Sequence, residues 1–234
     1  MILTTALLLA HVGSAHVSMA TQEVLGTPVR CITVNLNEPS VRLGIVLANG
    51  FPGSDEPFES MVARANPAAA VNGAYFSKDT LFPIGDIVVD GKLEHSGRMG
   101  TALTISDSGA IDIERVQRHK TYLWKGYKTV LACGPALMLD GNIDVQFELE
   151  GFRDPHVTGT AARMAVGYTP KRKLIMALIE RAVSFQEEAK IMQALGCIEA
   201  MNLDAGASLA MAYGGKIIKP AGRRLINVLA VWAD

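Results

Sequence analysis

Residues 29–48, VRCITVNLNEPSVRLGIVLA, hold two apolar runs, 29–36 and 41–48, parted by Asn37, Glu38 and Pro39. Val, Ile, Leu and Thr in short runs bounded by Asn and Pro are the signature of two strands joined by a turn. The same pattern recurs along the chain. Strands are expected at 68–72, 86–90, 101–106, 129–139, 163–168, 173–179, 197–203, 208–213 and 226–232. Asp90-Gly91, Asp140-Gly141 and Gly214-Gly215 sit between such runs and suit hairpin turns that require positive φ.

Two helices interrupt the strands. Ser184 with Glu187 three residues later forms a capping box, followed by Phe185, Ala189, Met192 and Leu195 at helical spacing and Gly196 as a stop. A shorter helix is expected from about Glu56 to Arg64, entered through Asp55 and Pro57 and ended before Pro67. With no linker, repeat or charge block, the expected fold class is α+β: one domain with a mixed or antiparallel sheet core and a few helices packed on it.

The chain has 234 residues, 22 Lys and Arg against 23 Asp and Glu, and a 49% hydrophobic share. That size supports a full core without disulfides or metals. The neutral balance sets nucleic acid aside as a partner. Cys31, Cys133 and Cys197 form no CxxC pair and read as buried free thiols. Residues 2–10, ILTTALLLA, with small residues through Ala15, read as a signal-peptide segment over 1–15 ahead of a domain at 16–234. The expected location is therefore secreted or periplasmic, otherwise cytoplasmic. No other stretch approaches the roughly 18 uncharged apolar residues of a spanning helix.

Several polar residues end apolar runs, where a strand delivers a side chain to a rim. Asn72 and Gly73 follow Ala68-Ala69-Ala70-Val71 and precede Tyr75 and Phe76; an ordinary type I′ turn is the competing reading. Asn202-Leu203-Asp204-Ala205-Gly206-Ala207-Ser208 passes from an apolar strand into tiny residues that let a backbone approach a ligand. No Lys-Ser/Thr follows, so this is no P-loop. Arg163, preceded by Thr158 to Ala162 with Thr160 among them, is placed to address an anion with its fork. Glu180 ends the run Leu174 to Ile179. The five histidines show no HExxH or short-spaced pair, so no metal set is assigned, and neither a G-x-S-x-G elbow nor a G-x-G-x-x-G is present.

In order, these segments resemble the phosphodiester glycosidase family. Asn72-Gly73-Ala74-Tyr75-Phe76 is similar to its Asn-Gly-Gly-Phe-Phe, and Gly85-Asp86-Ile87-Val88-Val89-Asp90-Gly91-Lys92 to its Gly-(Asn/Asp)-x-Val-x-x-Gly-(Lys/Arg) turn. Gly134-Pro135-Ala136-Leu137, Arg163-Met164-Ala165-Val166-Gly167, Asn202 through Ser208, and the closing Pro220, Arg223 and Arg224 continue the match over about residues 25–234. The departures are Ala74, Ala205 and Ala207 where the family pattern has glycine, Met164 for Thr, and Arg181 after Glu180. An added methyl at a position needing positive φ costs about 1 kcal/mol.

The resemblance implies hydrolysis of a sugar-1-phosphodiester at the C1–O bond, giving a free sugar and a phosphomonoester, with a carbohydrate or sugar-phosphate as partner. It implies Asp204 and Glu180 as the two carboxylates, one activating water or attacking C1 and the other binding sugar hydroxyls. Arg163 would stabilise the departing phosphate with backbone N–H groups of the Ala205–Ser208 loop. Asn72, Asp86, Asn202, Gly206, Ser208 and Thr160 would bind substrate or orient the loops. No cofactor is implied, with a divalent ion left open. The alternative is a glycan- or phosphoglycan-binding domain on the same scaffold, without turnover.

Overall fold

The computed structural model describes residues 16–118 and 120–233; the proposed signal segment 1–15 lies outside the described residues. The strands are β1 (Val17–Val24), β2 (Thr27–Asn35), β3 (Val41–Leu47), β4 (Ala69–Asn72), β5 (Ile87–Val89) and β6 (Lys92–His95). They continue with β7 (Thr101–Ser106), β8 (Ile111–Arg115), β9 (Tyr127–Ala132), β10 (Ala136–Leu139), β11 (Asn142–Ile143) and β12 (Ala161–Tyr168). The last are β13 (Lys173–Val183), β14 (Glu199–Asn202), β15 (Met211–Tyr213), β16 (Lys216–Lys219) and β17 (Asn227–Ala233). Helices are α1 (Phe58–Ala65), α2 (Pro155–Thr158) and α3 (Phe185–Ala194).

Three sheets result, with orders β1-β2-β13-β12-β14-β10-β11, β16-β15-β4-β17-β3 and β6-β5-β9-β7-β8. Every ladder among the described strands is antiparallel. The expected α+β class with a sheet core and few helices is what folds.

Alternation of side chains explains why the apolar runs are continuous rather than alternating. On β13, Leu174, Met176 and Leu178 enter a central core enclosed by the three sheets, whereas Ile175, Ala177 and Ile179 pack beneath α3. On β17, Leu229 and Val231 join the central core while Val228 and Ala230 pack with Phe58 and Met61 of α1. A strand buried on both faces has no solvent side to be polar.

The capping box forms as expected: Ser184 Oγ accepts from the Glu187 N–H at 3.2 Å and Glu187 Oε2 accepts from the Ser184 N–H at 2.8 Å. Helix α1 begins two residues later than expected and ends in left-handed Asn66. The three hairpin turns also form, each pair at positive φ: Asp90 and Gly91, Asp140 and Gly141, Gly214 and Gly215.

Other expectations change. β2 and β3, adjacent in sequence, join different sheets rather than pairing. The run 129–139 is broken at Cys133-Gly134-Pro135 into β9 of one sheet and β10 of another; a Cβ on Gly134 would lie 2.6 Å from the Thr101 backbone nitrogen. The run 208–213 starts later, at Met211, because Gly206–Ser208 form a 3-10 turn. Strands β1, β6, β8 and β16 have exposed, polar faces and escaped an apolar-run reading. Cys31 lies on β2, while Cys133 and Cys197 lie just outside strand ends, all three buried and free.

Candidate active site

Strand β14 ends at Asn202 in the seven-stranded sheet, and β15 begins at Met211 in a five-stranded one. The chain between them must therefore cross a seam, and Asn72 at the end of β4 fastens that crossing. Its Nδ2 donates to the Asp204 carbonyl at 2.7 Å, and its Oδ1 accepts from the Ala210 N–H at 3.0 Å. The Asp204 N–H donates to the Gly73 carbonyl at 3.0 Å. Gly73 does not sit in a type I′ turn; its φ is not positive, and a glycine fits because a Cβ would lie 1.9 Å from Asn227 Oδ1.

The crossing holds the Asp204 side chain at 5% exposure. Its Oδ1 accepts from the Ala205 N–H at 2.8 Å, and its Oδ2 accepts from Arg223 Nη2 at 2.9 Å. Arg223 Nε donates to Ser208 Oγ at 2.6 Å, and its guanidinium lies over the Phe76 ring at 4.6 Å. Burial pushes the Asp204 carboxyl above the usual range, while the Ser208 hydroxyl, Arg223 and the Ala205 N–H oppose the rise. In the 3-10 turn only Gly206 has positive φ, +61°; Ala205 is extended at φ −130°, so its methyl adds no backbone strain.

Asp204 and Arg223 face a cavity of about 320 Å³ whose wall also includes Tyr75, Phe76, Lys78, His156, Arg163 and residues Ala205 to Ala207. Lys78, Arg163 and Arg223 supply three positive charges against Asp154 and Asp204, which suits an anionic ligand.

Arg163 starts on β12 beside a register shift between Ala161 and Arg163, and is fully buried. Its Nε donates to the Val183 carbonyl at 3.3 Å and its Nη1 to Val157 at 3.1 Å, with Nη2 donating to Gly159. The guanidinium stacks on Phe185 at 4.0 Å, an interaction worth roughly 2 kcal/mol when desolvated. Its donors thus brace the cavity wall, and its charge reaches the cavity without a free fork.

The structure brings Asn72, Asn202, Arg163, Asp204, Gly206 and Ser208 to this seam. Asn202 Nδ2 donates to Tyr75 Oη at 2.8 Å. Burial lifts the Tyr75 hydroxyl well above its usual value.

Three expected residues stand apart. Glu180 is half-exposed outside the cavity, paired with Arg30 at 2.8 Å and Lys219 at 3.4 Å. Beyond Ile179, Glu180, Arg181 and Ala182 of β13 face solvent before Val183 returns to the core. Asp86 is buried just ahead of β5, accepting from the Arg98 N–H and Trp124 Nε1, each at 2.8 Å. It orients loops. Thr160 is exposed next to cavity-lining Ala161.

Sequence reading passed over Lys78, His156 and Glu188. Glu188 is fully buried on α3, without a hydrogen-bond partner among the described residues, and burial pushes its carboxyl up to about 8 against the pull of Arg163. Its spacing from Phe185 and Met192, on the apolar face of the helix, was the available signal. Among the described residues no group of three His, Cys, Asp or Glu side chains is placed to hold a metal ion.

The profile of the family described as phosphodiester glycosidase matches residues 65–232, most of the chain and all of this seam. The chain belongs to the phosphodiester glycosidase family. No protein of curated function matches it in sequence.

Solved structures share the fold. The catalytic domain of zebrafish N-acetylglucosamine-1-phosphodiester alpha-N-acetylglucosaminidase, auto-inhibited by its pro-peptide, superposes with a TM-score of 0.74 at 20% identity, covering 93% of this chain and 82% of that one. A hypothetical protein from Synechocystis gives 0.74 at 17% identity over 94% of this chain, which spans 62% of that longer chain. A Burkholderia pseudomallei K96243 protein, described as a candidate exported protein, gives 0.66 at 16% identity over 88% and 74%. No helix of the described residues is long and apolar enough to cross a membrane.

Proposed function

We propose that this phosphodiester glycosidase hydrolyses the C1–O bond of a sugar 1-phosphodiester, with Asp204 as the carboxylate that acts on the sugar. The supporting observation is a buried carboxylate facing a cavity that carries three cations. An ordinary glycosidase needs a second carboxylic acid to protonate an alkoxide leaving group. A phosphate diester leaves as a weak base, so one carboxylate with cationic surroundings meets the demand.

In this reading Asp204 takes a proton from water as the water oxygen bonds to C1. The C1–O bond breaks and its electron pair stays on the phosphate, which departs as a monoester. Burial raises the basicity of Asp204, and Arg223 keeps it ionised. Lys78 and the charge of Arg163 offset the developing phosphate charge. Asn72 and Asn202 act as positioning residues, since their amides hold the seam rather than reach the cavity.

The test is turnover of p-nitrophenyl and nucleotide-linked sugar phosphodiesters beside Asp204→Asn. Release of a phosphomonoester by the wild type, lowered by roughly 10²-fold or more in the variant, supports the reading. Binding of a sugar phosphate without turnover would instead support the glycan-binding alternative. Export rests on the apolar run 2–10 and the small residues through Ala15, and N-terminal sequencing of secreted protein tests it.

A further inference from the structure

A second cleft, of about 270 Å³, opens where the three sheets meet, between β3, the β7–β8 turn, β9 and the β12–β13 turn. Leu43 and Ile105 form part of its apolar wall. Arg42, Lys128 and Arg172 border it, with Asp107 the single acid. None of the three cations has an ion-pair partner among the described residues. With the Arg42 guanidinium turned to the other face of β3, Lys128 and Arg172 against Asp107 leave +1 in the cleft.

A phosphomonoester carries about −1.5 to −2 at neutral pH and three strong acceptor oxygens, for which two unpaired cations are partners. The Arg42 guanidinium itself lies over Trp232 at 4.4 Å, on the face of β3 opposite Leu43, so Arg42 adds field to the cleft and no contact. The cleft is separate from the Asp204 cavity. Arg163 lies near the start of β12 and Arg172 follows its end at Tyr168, and five residue steps along the strand span about 17 Å.

We propose that this cleft binds a compact phosphate monoester, its dianion between Lys128 and Arg172 and its apolar body against Leu43 and Ile105. This is the class of product that the proposed hydrolysis would release, but the inference rests on the cleft alone.

Titration with phenyl phosphate, followed by amide NMR at Gly109 and Arg172, tests it. Saturable shifts with a Kd of about 1 mM or tighter are expected. The exposed pair of changes Lys128→Glu and Arg172→Glu should weaken binding by at least about tenfold, read at Gly109. Asp204→Asn should leave the shifts in place whether or not the Asp204 cavity is catalytic. Shifts that never saturate, equal binding by the double variant, loss in Asp204→Asn, or equal response to uncharged phenyl glucoside would overturn the proposal.

Discussion

Arg223 grips Asp204 and Ser208 at once, donating from Nη2 to the carboxylate at 2.9 Å and from Nε to the hydroxyl at 2.6 Å. One planar fork therefore fixes both the charge state and the direction of the buried carboxylate. Arg223→Ala removes a group that lowers the Asp204 pKa, so the acid limb of the kcat/KM profile should move to higher pH. Turnover should fall by roughly 10²-fold, and Arg223→Lys should recover only part because an ammonium cannot bridge both oxygens as a fork does.

Asn72 should matter first for stability. Asn72→Ala strands the buried Ala210 N–H and the Asp204 carbonyl, each at about 1–3 kcal/mol. A denaturant midpoint lowered with unchanged m-value is the expected outcome.

Glu188 predicts a pH-dependent stability. Its folded pKa of about 8 stands above the unfolded reference of 4.5, so the folded state binds the extra proton between those values. That contribution is fully present below about 4.5 and is lost as pH rises through about 8. Glu199, raised to about 7, adds to the same fall. Glu188→Gln should flatten the decline in Tm between pH 5 and pH 9, leaving the part due to Glu199, as thermal melts across roughly that range would show.

Glu180 makes the opposite case. Its pairs with Arg30 and Lys219 are solvent-exposed, and such pairs contribute about 0–1 kcal/mol. Glu180→Gln should leave kcat/KM within about twofold of wild type and shift Tm little.

The tiny-residue loop separates conformation from composition. Gly206→Ala places a methyl at φ +61° and should cost about 1 kcal/mol with a loss of turnover. Ala205→Gly, at an extended position, should not raise activity, which assays of the two variants side by side would test.

Strand β13 and helix α3 were legible because their signals are local: a continuous Leu-Ile-Met-Ala-Leu-Ile run and a Ser184–Glu187 cap. The edge strands β1 and β16 were not, since a strand with one exposed face carries polar residues such as Ser18 and Lys216. Within the site, Asp204, Asn72 and Arg163 stood out where apolar runs stop. Lys78 and His156 did not, because a surface Lys or His has no local signature until a cavity forms beside it.

By itself the sequence determined the class of the fold, its hairpin turns, the capped helix and the family's segments, each carried by a short stretch of neighbouring residues. Only the tertiary structure decided which carboxylate shares a cavity with the arginines. Glu180 and Asp204 end two apolar runs with equal plausibility. One leaves the core into water while the other is carried across the seam between two sheets and buried. That difference arises from contacts such as Asn72 to Asp204 and Arg223 to Ser208, which lie far apart or across loops in the chain and exist only once the sheets have packed.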